Sequence, residues 1–232
     1  MSARQTKPID LYFWATPNGF KISIMLEELG VPYTTRFVNI GKGDQFKPDF
    51  LKISPNNRIP AIVDPEGPDG QPISVFESGA ILVYLGLKFD RFFGKSARDR
   101  VDIDQWLFWQ MANVGPIFGN YNHFKRMDPN NAYALKRFGD ETFRLYRVLN
   151  TQLEGRDWVA AGDYSIADMS LYGWVRGYKS RDIDIAEFPN VEAWLGRMAA
   201  RPAVEKGMAL KPPAEDKPVS EEEQRKVLYG QR

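Results

Sequence analysis

The sequence predicts an α/β domain of order βαβαββα followed by an all-helical domain. Short runs of β-branched residues alternate with helical periodicity up to about residue 88, and only helical periodicity recurs after residue 97. With 232 residues, of which 43% are hydrophobic, the chain is long enough to build two cores. We therefore expect an α/β domain over residues 1–90, a linker near Gly94 and a helical domain over 91–210. The charged, proline-rich tail over 211–232 is expected to be largely disordered or to wrap the surface.

The first domain opens with a strand and a helix. Apolar residues alternate from Ile9 to Phe13 with few polar breaks, so we expect this strand to be buried on both faces. Thr16 is a good N-cap and Pro17 suits the first helical position, so a helix begins there and ends near Gly30. The remaining elements are expected over 33–38 (a strand parallel to the first), 45–53 (a short helix), 61–63 and 73–75 (strands) and 77–88 (a helix).

The second domain carries helical signals alone. A long amphipathic helix follows the linker, and we expect Gly115-Pro116 to kink it because proline removes a helical hydrogen bond. Ser165 with Asp168 three residues later is a capping-box signal ahead of an apolar run. Further helices are expected over 130–154 and 191–198.

Composition excludes several classes of function. The formal net charge of +1 leaves too few excess cations for a dedicated nucleic-acid or membrane-surface protein. The chain has no cysteine and a single histidine, His123, so it has no catalytic thiol of its own and we expect no metal site. No apolar run reaches the roughly 18 residues of a membrane span, and residues 1–9 lack the apolar segment of a signal peptide. We therefore expect a cytoplasmic protein.

The stretch over residues 54–78 carries the strongest functional signal. Pro60 opens a strand between apolar neighbours, a position where a cis X–Pro bond is often found. Such a turn would leave the N–H and C=O of Ile59 unpaired, able to bind an extended peptide as an added strand. Glu77 and Ser78 open the next helix, where free N–H groups hold an anion and the Glu carboxylate can take an ammonium. A zwitterionic peptide would suit both features.

These features lead to a specific resemblance. The βαβαββα order with a proline opening the third strand resembles a thioredoxin-like domain, and the attached helical half resembles that of cytosolic glutathione transferases, over about residues 9–210. Within that superfamily, five blocks in the expected order are similar to the nu class, bacterial glutathione-dependent disulfide-bond oxidoreductases related to the yeast Ure-type proteins. The blocks are Thr16-Pro17-Asn18-Gly19, Gly41-Lys42-Gly43-Asp44-Gln45-Phe46, Ser54-Pro55-Asn56-Asn57-Arg58-Ile59-Pro60-Ala61-Ile62, Phe76-Glu77-Ser78-Gly79-Ala80-Ile81 and Trp106-Leu107-Phe108-Trp109-Gln110.

The resemblance implies that glutathione is the cosubstrate, with up to two molecules in one site. Redox-active thioredoxin-like proteins carry Cys-Pro-x-Cys in the turn where this chain has Thr16-Pro17-Asn18-Gly19, so the reactive sulfur must come from a bound thiol. Thr16 and Asn18 are the expected catalytic residues, because a hydroxyl and an amide can donate to a thiolate. The glutathione-binding residues carried over from the family are Asn18, Gln45, Arg58, Ile59, Glu77, Ser78 and, across a homodimer interface, Arg137.

The resemblance also implies partners. Family members bury the apolar face of the helix over 77–88 against a second copy, so we expect a homodimer. The other partner is a small electrophile or a disulfide, and glutathione-driven disulfide reduction is the favoured activity. We expect no nucleic acid and no membrane among the partners.

Several alternatives remain open from the sequence. Thr16 with Pro17 is also an ordinary helix start, Glu77 suits any helix dipole, and Arg137 belongs to a basic helix face that is most simply solvated. Conjugation of an electrophile and cleavage of a β-aryl ether both compete with disulfide reduction. A non-catalytic glutathione-binding regulatory module of the same fold is a further alternative, although the presence of every carried-over residue favours an enzyme.

Overall fold

The computed structural model of the chain describes residues 5–213 and 220–229. These residues form two compact units. The first contains the described residues up to 89 together with those from 206 onward, and the second contains residues 90–205. No helix within the described ranges is both long enough and apolar enough to cross a membrane.

A four-stranded mixed sheet forms the centre of the first unit. Its strands are β1 (Ile9–Phe13), β2 (Tyr33–Phe37), β3 (Ala61–Asp64) and β4 (Ile73–Phe76), in the order β2-β1-β3-β4. The β1–β2 pair is parallel, as the sequence predicted, and the β1–β3 and β3–β4 pairs are antiparallel.

The prediction that β1 is buried on both faces is wrong. Ile9, Leu11 and Phe13 are fully buried, whereas Asp10 and Tyr12 on the other face are only half-buried. Arg36 on the neighbouring strand forms an ion pair with Asp10 at 3.1 Å, and both side chains are partly exposed to water on that face. The strand therefore follows the alternating pattern of a sheet with one fully covered face.

Three helices of the first unit follow the predicted order. Helix α1 (Pro17–Leu29) is capped by Thr16 and ends at Gly30, whose φ of 67° is left-handed. The predicted helix over 45–53 is split into a 3₁₀ turn (Asp44–Phe46) and α2 (Pro48–Leu51), because Pro48 has no N–H to continue the turn and instead begins a new helix. Helix α3 (Ser78–Phe89) completes the βαβαββα order.

The second unit is helical throughout its described residues. Helices α4 (Ala97–Trp109) and α5 (Gly115–Met127) are separated by a π-helical turn (Gln110–Val114). The sequence predicted a kink at Gly115-Pro116, and the helical hydrogen-bond pattern changes there: Gly115 donates its N–H to the Gln110 carbonyl, five residues back, just before the proline that cannot donate. The unit continues with α6 (Ala132–Gln152), α7 (Ile166–Val175), α8 (Pro189–Ala199) and the start of α9 (Pro202–Met208).

A buried carboxylate organises the start of α7. The capping box predicted at Ser165 and Asp168 is present. Asp168 also accepts hydrogen bonds from the Val159 N–H at 3.0 Å and the Trp194 indole at 2.9 Å. Complete burial nevertheless raises the pKa of Asp168 to about 6, because desolvation outweighs the donors around it.

The tail, expected to be largely disordered or to wrap the surface, contains a helix in its described part. Residues of the chain's end form α10 (Glu221–Tyr229), which clusters with the first unit, whereas residues 214–219 and 230–232 lie outside the described part. Ser220 and Glu223 form a capping pair: the Ser220 hydroxyl accepts from the Glu223 N–H, and the Glu223 carboxylate accepts from Ser220. Ser-x-x-Glu is a capping-box signal, and it marks the start of this helix.

Candidate functional site

Three strands of the first unit's sheet have an end at the same side of that sheet, which we call the site edge. Tyr12 of β1 lies opposite Ala61 of β3, and Ala61 lies opposite Phe76 of β4. The chain therefore leaves β1 towards Thr16, enters β3 from Pro60 and leaves β4 towards Glu77 at the site edge. The loop after β2 starts there too, since the Val38 N–H donates to the Phe13 carbonyl at 3.0 Å.

The turn before α1 presents a hydroxyl and an amide. Thr16 is the N-cap, because its Oγ1 accepts from the Gly19 N–H at 3.1 Å. This bond uses an oxygen lone pair and leaves the hydroxyl hydrogen for another acceptor. A Cβ on Gly19 would lie 2.3 Å from the Trp14 carbonyl oxygen, so only glycine fits this turn. Asn18 lies half-buried in the same first turn.

The residue before Pro60 offers unpaired main-chain groups. The Ile59–Pro60 peptide bond is cis, as the sequence suggested. The Ile59 side chain packs against the cluster formed by Val38, Phe50 and Ala61. Among residues 5–213 and 220–229, no hydrogen bond uses the Ile59 N–H or C=O. Ile59 is thus anchored by its side chain while its backbone can pair with an added strand.

The start of α3 combines a carboxylate with a buried hydroxyl. Glu77 precedes the helix with a left-handed φ of 67°, a conformation that costs a non-glycine residue free energy and is often found at binding sites. Its exposed carboxylate accepts from the Asn56 amide at 3.1 Å, and its carbonyl accepts from the Ile81 N–H at 2.9 Å. Ser78 is the first residue of α3 and is buried.

A buried lysine that we did not predict lies directly behind Ser78. Lys21 of α1 has no solvent exposure, and its Nζ lies 3.2 Å from the Ser78 Oγ. Burial lowers the pKa of Lys21 to about 7, and the nearby charge of Glu77 opposes that shift. The available signal was a lysine one turn before Met25 on the apolar face of α1, a position at which a solvated lysine is not expected.

The other predicted residues occupy different surroundings. Gln45 is buried in the loop after β2, where its amide donates to the Ile40 carbonyl at 3.2 Å and its Oε1 has no partner among the described residues. Arg58 is exposed, and its guanidinium donates to the carbonyl of Asn57 at 3.2 Å. Arg137 is exposed on α6 of the second unit, and the single chain does not test its role.

Comparisons with known proteins agree with this geometry. The family model for the glutathione S-transferase N-terminal domain matches residues 15–87, and that for the C-terminal domain matches residues 117–202. The disulfide-bond oxidoreductase YfcG of Escherichia coli is 48% identical over 204 residues, which cover 87% of this chain and 94% of that protein. The chain belongs to the glutathione S-transferase family. The resemblance drawn from the five sequence blocks is thereby confirmed.

Solved structures of other glutathione transferases share the fold. A family member from Pseudomonas fluorescens, solved with two glutathione molecules bound, has a TM-score of 0.82 and 41% identity and covers 86% of this chain and 92% of its own. A glutathione transferase from Pseudomonas putida, solved with glutathione disulfide bound, has a TM-score of 0.85 and 39% identity and covers 90% and 94%. In the chain described here, residues 5–213 and 220–229 contain no cluster of three or more potential metal-ligating side chains.

Proposed function

We propose that this chain binds glutathione at the site edge formed by β1, β3 and β4 and uses it to reduce disulfides. The observation that carries the proposal is the unpaired main chain of Ile59, beside a helix start where Glu77 and Ser78 lie together. The cysteinyl unit of glutathione would pair with Ile59 as an added strand. The γ-glutamyl ammonium would bind Glu77, and the γ-glutamyl carboxylate would bind at Ser78.

Activation of the thiol is assigned to Thr16 and Asn18. Thiol exchange requires a thiolate, which an ordinary thiol scarcely populates at neutral pH. The Thr16 hydroxyl has a hydrogen not used by the cap, Asn18 carries an amide, and the N-terminus of α1 stabilises negative charge. Together these groups would lower the pKa of a bound glutathione thiol.

Because the chain has no cysteine, both electrons come from two glutathione molecules. The first glutathione thiolate attacks one sulfur of the substrate disulfide, which forms a mixed disulfide and releases one substrate thiolate that takes up a proton. A second glutathione thiolate then attacks the glutathione sulfur of that mixed disulfide. The products are glutathione disulfide and the second substrate thiol. The structures from Pseudomonas fluorescens with two glutathiones and Pseudomonas putida with glutathione disulfide support this stoichiometry. The similarity to the disulfide-bond oxidoreductase YfcG supports the type of reaction.

Three further side chains are proposed to contact glutathione or to lie beside it. Gln45 would contact the glycine or γ-glutamyl end, and its Oε1 is an acceptor without a described partner. Arg58 would lie beside the site. Arg137, being exposed and cationic, would reach the glycine carboxylate of a glutathione bound to a second copy.

We also propose a homodimer and retain the cytoplasmic location as a prediction from the sequence. Leu87 on α3 is 52% exposed, and Phe76 at the end of the edge strand β4 is 38% exposed. A second copy of the chain would cover these apolar side chains in a closed two-fold pair. Sedimentation at micromolar concentration should give twice the monomer mass of 26.6 kDa, and a monomer would contradict the proposal.

Parallel assays separate the proposed activity from its alternatives. Calorimetry should first show saturable glutathione binding. The protein should then reduce hydroxyethyl disulfide faster than it conjugates a chloronitrobenzene or cleaves a β-aryl ether. Faster conjugation or ether cleavage would assign that reaction instead. Binding with no turnover in any of the assays would favour a non-catalytic module.

A further inference from the structure

A charged group behind the γ-glutamyl site is unexplained by the proposed chemistry. Lys21 is completely buried, and its Nζ lies 3.2 Å from the Ser78 Oγ, which joins α1 to the first residue of α3. An ammonium has three donors and no acceptor, so the Ser78 oxygen accepts from it. Ser78 therefore uses an oxygen lone pair, and not its hydroxyl hydrogen, in the bond with Lys21.

Packing alone does not explain a lysine at this position. Burial opposes its charge strongly enough to lower the pKa of Lys21 to about 7. A methionine would fill a similar volume without the cost of desolvating an ammonium. The exposed Glu77 carboxylate is the charged side chain whose field opposes the shift, and Lys21 also donates a hydrogen bond to Ser78.

A buried positive charge and an exposed negative charge lie on different sides of Ser78. Beneath the helix start lie the Lys21 ammonium and the positive end of the α3 dipole, both of which attract an anion. Beside the helix start lies the exposed Glu77 carboxylate, which attracts a cation. This arrangement is complementary to an α-amino acid end, with its carboxylate towards Ser78 and its ammonium towards Glu77.

We infer that Lys21 is a positioning residue for the γ-glutamyl carboxylate of glutathione, holding Ser78 so that the serine hydroxyl donates to that carboxylate. The inference rests on the proposed glutathione site. It adds that this site requires a ligand with an α-amino acid end. Lys21 acts through Ser78 and does not touch the reacting sulfur.

The test uses a pair of ligands that differ in that carboxylate alone. Calorimetry with the full chain compares glutathione with 4-aminobutyryl-cysteinyl-glycine, which keeps the ammonium and lacks the γ-glutamyl carboxylate. The wild-type protein should bind glutathione more tightly than the analogue. Lys21→Met should weaken glutathione binding about ten- to hundredfold, because Ser78 loses the charged donor that orients its hydroxyl, and leave the affinity for the analogue unchanged.

Controls separate positioning from structural damage. Lys52→Met removes an exposed lysine of the same unit, whose partner is Asp49 on the surface, and should change neither affinity. Ligand-free Lys21→Met should unfold at a temperature no lower than the wild type. An equal loss of affinity for both ligands would overturn the inference, as would undiminished discrimination in Lys21→Met.

Ser78→Ala and the wild type measured with the same two ligands provide two further tests. If Lys21→Met does not fold, Ser78→Ala is measured with the same two ligands, and discrimination equal to that of the wild type would overturn the assignment. If the wild type itself binds both ligands equally, the γ-glutamyl site of the proposed function fails and the Lys21 inference fails with it. Discrimination in the wild type that persists in Lys21→Met overturns the Lys21 inference alone.

Discussion

Replacing Glu77 with glycine should weaken glutathione binding without lowering the free energy of unfolding. Glu77 has a left-handed φ of 67°, which favours glycine, yet the position carries a side chain that contacts an exposed asparagine and little else among the described contacts. A side chain retained in an unfavourable backbone conformation points to a role in binding. Glycine relieves the backbone and deletes the carboxylate in one step.

The magnitudes follow from the same geometry. Relief of the left-handed conformation gains about 1–2 kcal/mol, and the greater freedom of glycine in the unfolded chain costs about 0.5–1 kcal/mol. The free energy of unfolding should therefore stay constant or rise by up to about 1.5 kcal/mol. Loss of the charge-assisted contact to the ligand ammonium should weaken binding by about 1.5–3 kcal/mol, or roughly ten- to 150-fold in Kd.

The assay pairs denaturant unfolding with glutathione calorimetry on three variants. Glu77→Gln keeps the backbone strain and should lose affinity with little change in stability. Asp69→Gly is the matched control, because Asp69 has a φ of 57° and lies in the turn between β3 and β4, at the opposite end of those strands. It should match the stability change of Glu77→Gly and leave affinity intact. An affinity for Glu77→Gly within threefold of wild type, or a loss of stability above about 1 kcal/mol, would refute the reasoning.

Three other predictions test the turn before α1 and two of the buried ionisable groups, Lys21 and Asp168. Asn18→Ala should lower kcat for disulfide reduction far more than glutathione affinity, with Thr16→Ala acting more mildly; equal losses in kcat and affinity would contradict this. Lys21→Met should raise the free energy of unfolding by a few kcal/mol at pH 7, since a pKa shift is worth about 1.4 kcal/mol per unit. The native pKa of about 7 lies below the unfolded value of 10.5, so this gain should shrink as pH rises from 7 towards 10, and a pH-independent gain in denaturant titrations would argue against it. Asp168→Ala leaves several buried donors unsatisfied, at about 1–3 kcal/mol each, and should lower the free energy of unfolding by more than about 3 kcal/mol. Asp168→Asn should lower it less. A loss below about 1 kcal/mol in denaturant unfolding of Asp168→Ala would be inconsistent with the four hydrogen bonds of Asp168.

Local signals in the sequence predicted much of the fold. The Thr16 cap and the Ser165–Asp168 capping box each depend on residues a few positions apart, and each is present in the structure. The order of strands and helices in the first unit follows from the same short-range patterns. Errors arose where a second element decided the outcome, as with the half-buried face of β1 beside Arg36.

The candidate site was predictable in part for the same reason. Thr16, Ile59 and Glu77 each follow or precede a strand, so pairing of those strands is enough to bring them to the site edge. The role of Lys21 depends on the packing of two helices whose contacting residues are 57 positions apart, which periodicity does not specify. The role proposed for Arg137 requires a second copy of the chain.

The most direct test of the central claim is turnover of hydroxyethyl disulfide by glutathione, followed together with the products and the intact mass of the protein. We predict turnover that saturates with glutathione, one glutathione disulfide formed for each disulfide reduced, and a protein mass that stays unchanged because the chain has no cysteine to modify. Reduction no faster than the uncatalysed rate, under conditions in which calorimetry shows glutathione bound, would contradict the account.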